Sequence, residues 1–149
     1  AGCQLVASCD LAYSTKDAIF ATPGVNIGLF CSTPMVAVSR KINRKVMMKM
    51  LLTGEPIKAN YAKEIGLIND CYSRSILNKE VLKIAKQIAS KSNLTIKIGK
   101  KAFYKQLEMP LSKAYAYTSK MMTLNMMARD AKEGISAFIE KRKPNWKNK

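Results

Sequence analysis

Apolar positions along this chain follow two regimes: short runs broken by turn residues up to about residue 72, then helical periodicity to the end. Gly2 to Ser8 is small and apolar, which predicts a short helix. Leu11-Ala12-Tyr13-Ser14 and Ala18-Ile19-Phe20-Ala21, separated by the turn residues Thr15-Lys16-Asp17, predict two short strands paired like a hairpin. Asp10, at the helix-to-strand junction, is either a catalytic carboxylate or one that ties down a turn. The stretch Phe20-Ala21-Thr22-Pro23-Gly24-Val25-Asn26-Ile27-Gly28-Leu29-Phe30-Cys31-Ser32-Thr33 organises what surrounds it. It leaves a strand, turns at Pro23-Gly24, where proline fixes φ and glycine tolerates a positive value, and feeds a helix expected to begin at Pro34 with Thr33 as its cap. Backbone N–H groups near Ser32 and Thr33 then either face a cleft or belong to a plain strand-to-helix connection.

Pro34 to Ile42 reads as a buried helix, and Arg44 to Leu52 as a second one with Val46, Met50 and either Met47 or Leu51 recurring at helical spacing. Thr53-Gly54-Glu55-Pro56 ends it, Ile57 to Ile65 restarts a short helix, and Gly66 serves as its C-cap before a strand that ends near Tyr72. Beyond Ser73 the pattern is helical only. Ser75 is placed to cap the first of these helices, whose residues Val81, Ile84, Ala85, Ile88 and Ala89 share one face. In the next, Lys97, Lys100, Lys101 and Lys105 form a positive stripe opposite Leu94, Ile98, Ala102 and Phe103. Leu111 to Met127 is rich in Met and Tyr, which suits a core or a subunit interface better than a cofactor pocket. Ile135, Phe138 and Ile139 form a last apolar stripe, running into the basic segment Lys141-Arg142-Lys143 at a helix end. These elements describe the back part of an α/β domain, with 1–72 as the remainder of a mixed core and 73–149 as a helical region.

Composition narrows the chemistry. At 149 residues and 48% hydrophobic content the chain is ordinary for a globular domain, and no apolar run approaches the length of a membrane span. It opens on Ala1-Gly2-Cys3, inside what reads as a structured motif, as a fragment or processed chain would; any targeting segment would then lie upstream. The net charge of +16 is uneven: residues 1–70 carry 8 basic and 5 acidic side chains, and residues 71–149 carry 18 and 5. Such a field favours an anionic partner, whether a phosphorylated cofactor, an acidic membrane surface or nucleic acid, unless the lysines merely solvate helix faces. There is no histidine, and the four cysteines form no Cys-x-x-Cys pair, so a zinc site is not expected and a Ser-His-Asp or Cys-His arrangement is excluded within these residues. Reduced core thiols are the expected state.

Five strings carry a resemblance: Ala1-Gly2-Cys3-Gln4-Leu5 through Asp10, Phe20-Ala21-Thr22-Pro23-Gly24-Val25-Asn26-Ile27-Gly28, Leu52-Thr53-Gly54-Glu55-Pro56-Ile57-Lys58-Ala59, Gly66-Leu67-Ile68, and Glu133-Gly134-Ile135-Ser136-Ala137-Phe138 through Lys143. In this order and spacing the chain resembles the C-terminal half of the enoyl-CoA hydratase/isomerase, or crotonase, superfamily. The resemblance implies an α/β fold: a crotonase-type spiral of ββα turns followed by a helical C-terminal region that mediates trimer contacts, often as a dimer of trimers. It implies an acyl-CoA as substrate or ligand, no tightly bound cofactor, and a mitochondrial location.

In that family two backbone N–H groups hold the thioester oxygen of an acyl-CoA. One matches Ala1 and the other lies upstream of this chain. The two hydratase glutamates fall on Gln4 and Gly24, and neither is a carboxylate here. An acidic residue that some isomerases place later in the loop falls near Ser32, whose hydroxyl is a poor base without activation. Phe138 and Lys141 match an aromatic and a lysine that contact the CoA nucleotide, although Lys141 also suits a helix end. Restoring both carboxylates, Gln4→Glu with Gly24→Glu, is expected to bring hydratase activity if the scaffold is intact. Three readings follow: a hydratase or isomerase of fatty-acid metabolism, a catalytically degenerate acyl-CoA-binding or regulatory relative, and, a distant third, an RNA binder using the lysine stripe, for which Phe103 and Tyr104 are the only interleaved aromatics.

Overall fold

The computed structural model describes residues 1–148 and divides the chain into two compact units, Ala1–Lys83 and the stretch from Ile84 onward. The first unit opens with α1 (Gly2–Ser8), followed by β1 (Tyr13–Thr15) and β2 (Ile19–Phe20). These two strands do not form the expected hairpin. β1 runs parallel to β4 (Asp70–Tyr72), with Tyr13 opposite Asp70, and β2 lies antiparallel to β3 (Ile57–Lys58), with Phe20 opposite Ile57. The turn between β1 and β2 closes through Ala18 N–H to the Thr15 carbonyl, but its other groups are used elsewhere: Lys16 N–H donates to the Tyr72 carbonyl and Ala59 N–H donates to the Ala18 carbonyl. Backbone groups that a hairpin would use therefore already have partners.

The helices of this unit follow local chemistry. α3 (Arg44–Thr53) starts at Asn43, whose side chain accepts the Lys45 N–H at 2.9 Å, and stops at Gly54 with φ 65. Met50 faces inward as its spacing predicts, both Met47 and Leu51 join it rather than one of the two, and Val46 is only half-buried. α4 (Ala59–Glu64) begins two residues later than expected because Ile57 and Lys58 are taken up as β3. Gly66, at φ 79, directs its N–H back to Lys63 just beyond the helix end. The predicted buried helix over 34–42 is shorter and half-exposed: α2 (Ser32–Val38) buries Val38 completely but leaves Val36 exposed, and Ile42 reaches the core from the turn that follows. The core joins Ala7, Phe20, Val38, Met50, Leu51 and Ile68 with six further residues between 7 and 71. Each large side chain fully buried there contributes about 1.5–3 kcal/mol.

The second unit comprises the end of α5 (Arg74–Ala89) with α6 (Asn93–Leu107), α7 (Leu111–Met127) and α8 (Arg129–Ile139). Ser75 does not cap α5. It lies inside the first turn, while the Ser73 carbonyl accepts the Leu77 N–H. Ser92 caps α6, its oxygen accepting the Thr95 N–H. The three later helices pack on one another, and the apolar residues they bury are alanines, Ala102, Ala114 and Ala137. Phe103, expected on the inner face of α6, is instead exposed. The tail folds back: Trp146 Nε1 donates to the Ser90 carbonyl at 2.9 Å, and its ring covers Gly134, where an added Cβ would come within 3.2 Å. The buried Asp130 carboxylate accepts the N–H groups of Lys147 and Asn148 at 2.7 and 2.9 Å. Among the described residues no helix is long and apolar enough to cross a membrane.

Candidate active site

α1, the loop from Thr22 to Cys31 and the start of α2 place the residues singled out above. Ala1 stands at the N-cap of α1, its carbonyl accepting the Leu5 N–H at 3.0 Å. α1 packs on α2 and turns Ala7 into the core, which leaves Gln4 half-buried one residue from Cys3. The Gln4 carbonyl accepts the Ser8 hydroxyl, a bond within the helix.

The loop differs from a simple turn. Pro23-Gly24 opens a 3-10 helix (Pro23–Ile27) that ends on Gly28 in the left-handed region at φ 75. Gly24 is not one of the positive-φ glycines, so its role is set by space rather than by backbone freedom. A Cβ built there would lie 2.7 Å from the Leu29 carbonyl oxygen and 2.8 Å from Cys31 Sγ. The same elements are hydrogen-bonded around it: Gly24 N–H donates to Cys31 Sγ at 3.2 Å, and Leu29 N–H donates to the Gly24 carbonyl at 2.9 Å. Cys31 thus fills the volume that a side chain at 24 would need.

α2 begins at Ser32, two residues before the expected Pro34, with Cys31 at the N-cap and no side-chain cap. Thr33 is therefore inside the helix. The Ser32 hydroxyl donates to the Phe30 carbonyl at 3.3 Å, and its exposed position shows no base beside it. Cys3 and Cys31 are near enough to interact electrostatically. Burial pushes the Cys3 thiol up, and Cys31 adds a smaller upward push. Thr22, immediately before the 3-10 helix, is buried with its hydroxyl lacking a protein partner among the described residues.

In the second unit, Phe138 is 86% exposed on α8, and Lys141 follows the helix at φ 54 in an exposed turn. The residues around Lys141 form a network that the sequence pattern did not reveal. Arg142 donates to Glu133 through Nη1 at 2.6 Å and Nη2 at 3.1 Å, and to Glu140 through Nε at 2.6 Å. Glu133 Oε1 also accepts the Asn145 N–H at 2.8 Å. The Arg142 fork, followed by the Asn145 N–H, lowers the Glu133 carboxyl from 4.5 to about 2. The lysine stripe of α6 is also altered: Lys105 lies over the Tyr117 ring of α7, 4.9 Å from its centroid. Phe103 and Tyr104 pack edge to face against each other, with ring centroids 5.3 Å apart.

A model of the enoyl-CoA hydratase/isomerase family matches residues 1–149. The chain belongs to that family. Human enoyl-CoA hydratase domain-containing protein 3, mitochondrial, is 52% identical over 146 residues, 98% of this chain and 48% of that protein. The mitochondrial enoyl-CoA hydratase of Pongo abelii is 32% identical over 148 residues, 99% of this chain and 51% of that protein. Among solved structures, an enoyl-CoA hydratase of Mycobacterium smegmatis matches with a TM-score of 0.95 at 48% identity, covering 97% of this chain and 56% of that one. Human enoyl Coenzyme A hydratase domain-containing protein 3 matches at 0.94 and 52% identity, covering 97% and 57%. The chain spans about half the length of the curated relatives it matches.

Family membership gives the loop geometry its meaning. The position expected to carry a hydratase glutamate is glycine, and a Cβ there would press on the Leu29 carbonyl and Cys31 Sγ unless the loop shifts. A glutamate at 24 would meet the Leu29 carbonyl and Cys31 Sγ, so Gly24→Glu with Gln4→Glu can bring hydration only if the loop shifts. Removing the Cys31 sulfur would not suffice, because the Leu29 carbonyl is backbone and stays 2.7 Å from the Cβ position.

Proposed function

We propose that this chain is the C-terminal half of an acyl-CoA-binding protein of fatty-acid metabolism that polarises the thioester through backbone N–H groups, without two-carboxylate hydration of the double bond. In this reading Ala1 supplies one oxyanion donor and the preceding part of the full-length protein supplies the other. Donors of this kind stabilise enolate-like charge whatever the side chain, so alanine is compatible with the role. The observation that carries the reading is the occupied space at Gly24: Leu29 O and Cys31 Sγ stand where the second carboxylate would begin. Gln4 cannot exchange a proton at neutral pH, and the Ser32 hydroxyl is bonded to a carbonyl rather than to a base. The CoA nucleotide would meet Phe138 and Lys141, and the thioester is a ligand, not a resident cofactor.

The exposed apolar faces of α7 and α8 support a homo-oligomer, a trimer or a dimer of trimers. A mitochondrial location is supported by the names of the relatives, human enoyl-CoA hydratase domain-containing protein 3 among them. Calorimetry of the full-length protein with acetyl-CoA and crotonyl-CoA tests the reading, together with a hydration and isomerisation assay. Binding without hydration is the expected outcome. Hydration at a rate typical of the family overturns it, as does absence of binding. Isomerisation without hydration marks the second reading, an isomerase whose acid or base comes from the preceding half, which the empty catalytic positions here favour.

A further inference from the structure

α8 runs into four charged residues in a row, Glu140, Lys141, Arg142 and Lys143, and their charges are not shared evenly. Arg142 takes both nearby carboxylates: its Nη atoms clasp Glu133 in a two-pronged fork, and its Nε meets Glu140 at 2.6 Å. Lys141 lies between two of the clamped residues. Its backbone is in the left-handed region, with its N–H donating to the Phe138 carbonyl, and its ammonium has neither an ion pair nor a hydrogen bond among the described residues. Glu133 in addition holds the Asn145 N–H, and Trp146 is seated over Gly134, so the chain is fixed on both sides of the turn.

A lysine adjacent to Glu140, and next to an arginine that reaches back to Glu133, would ordinarily find a carboxylate at high effective concentration. Here the planar guanidinium outcompetes it, because a fork matches carboxylate geometry and an ammonium does not. We propose that Arg142 is a positioning residue for Lys141: by sequestering Glu133 and Glu140 it keeps the Lys141 ammonium unpaired and fixed as a point charge for the phosphate-bearing nucleotide end of an acyl-CoA. The inference rests on the reading of Phe138 and Lys141 as nucleotide contacts given above. It adds that anion affinity at Lys141 is set by a residue that itself touches no ligand.

The test is calorimetry of acetyl-CoA binding to the full-length protein and its variants at low and moderate salt. Lys141→Gln should weaken binding about tenfold, the loss of one charge-assisted contact, and flatten its salt dependence. Arg142→Gln should do the same, with no further loss when combined with Lys141→Gln, since the freed carboxylates would neutralise the lysine. Adding Glu133→Gln and Glu140→Gln to Arg142→Gln removes those carboxylates and should restore affinity, which repair of a purely structural defect would not do. Arg142→Lys, which keeps the charge but can clasp only one carboxylate well, should give an intermediate loss and stands in if Arg142→Gln does not fold. Wild-type affinity in both Arg142 variants, or a loss that the added glutamines do not restore, overturns the inference while leaving Lys141 as a contact. Wild-type affinity in Lys141→Gln overturns the nucleotide reading itself, and the inference with it. Absence of acetyl-CoA binding by the unaltered protein overturns the proposed function.

Discussion

In the first unit, twelve residues between Ala7 and Cys71 close into a buried apolar core, and the strands and helices that carry them have partners within the unit. In the second, α6 to α8 meet through three alanines while Leu124, Met127, Phe138 and Ile139 remain exposed. Both stretches are amphipathic in sequence. The difference is that small residues at helix contacts let backbones approach but bury little area, so most of the large apolar side chains of α7 and α8 are left to another surface. Charge follows the same division, with 15 basic residues against 4 acidic from Ile84 onward. The first unit is built to hold a loop rigidly. The second is built to present surface, apolar on one side and cationic on another.

Matched truncations would break this comparison most directly. Leu51→Ala should lower unfolding free energy by about 3 kcal/mol, as expected for a core leucine, whereas Leu124→Ala should cost under about 1 kcal/mol in dissociated protein. Chemical denaturation at low concentration measures both, and equal losses would mean that α7 is covered within one chain. If a second copy covers α7, Leu124→Lys should shift the sedimentation profile toward smaller species at micromolar concentration.

Gly24→Ala probes the rigid loop and should cost about 2 kcal/mol, an overpacking penalty, because its Cβ would meet the Leu29 carbonyl at 2.7 Å and Cys31 Sγ at 2.8 Å. Adding Cys31→Ala should recover only part of that loss. A neutral Gly24→Ala would show that the loop opens readily, and the argument against a glutamate at 24 would fall. Asp130→Ala should cost about 2 kcal/mol by removing the buried carboxylate that accepts the N–H groups of Lys147 and Asn148. The melting curve checks it, and Asp130→Asn, which keeps one acceptor, should be milder.

The smallest expected effect concerns acid. Glu133 has a carboxyl lowered from 4.5 to about 2, so its contribution to docking the tail is complete above 4.5 and is lost as pH falls toward about 2. Trp146 is the sole tryptophan and sits on that tail, so its emission should move to longer wavelength across this window. Glu133→Gln should abolish the transition. An unchanged spectrum down to pH 2 in the native protein would mean that the ring over Gly134 holds the tail without Arg142.

Much of the chain was legible from local chemistry. α1, α3 and the helical second half follow from apolar spacing, and Gly54 and Gly66 end helices because they accept positive φ. The order of five motifs carried the family. What failed shares one cause. Pairing of β1 with β4 and of β2 with β3 joins residues about 40 to 60 positions apart, and no local pattern distinguishes that from a hairpin. Ser75 and Thr33 are sound capping residues displaced by one or two positions, since the start of a helix depends on what the preceding backbone is bonded to.

By itself, then, the sequence determined the elements, their family, the lack of carboxylates at positions 4 and 24, and the cationic second half. Those are properties of residue type and spacing. Only the tertiary structure decided that Gly24 is a matter of space, that Cys31 occupies it, and that Arg142 rather than Lys141 holds Glu133 and Glu140. Each of those depends on which atoms the folded chain brings within a few ångströms, and steric exclusion and ion pairing act over that range alone.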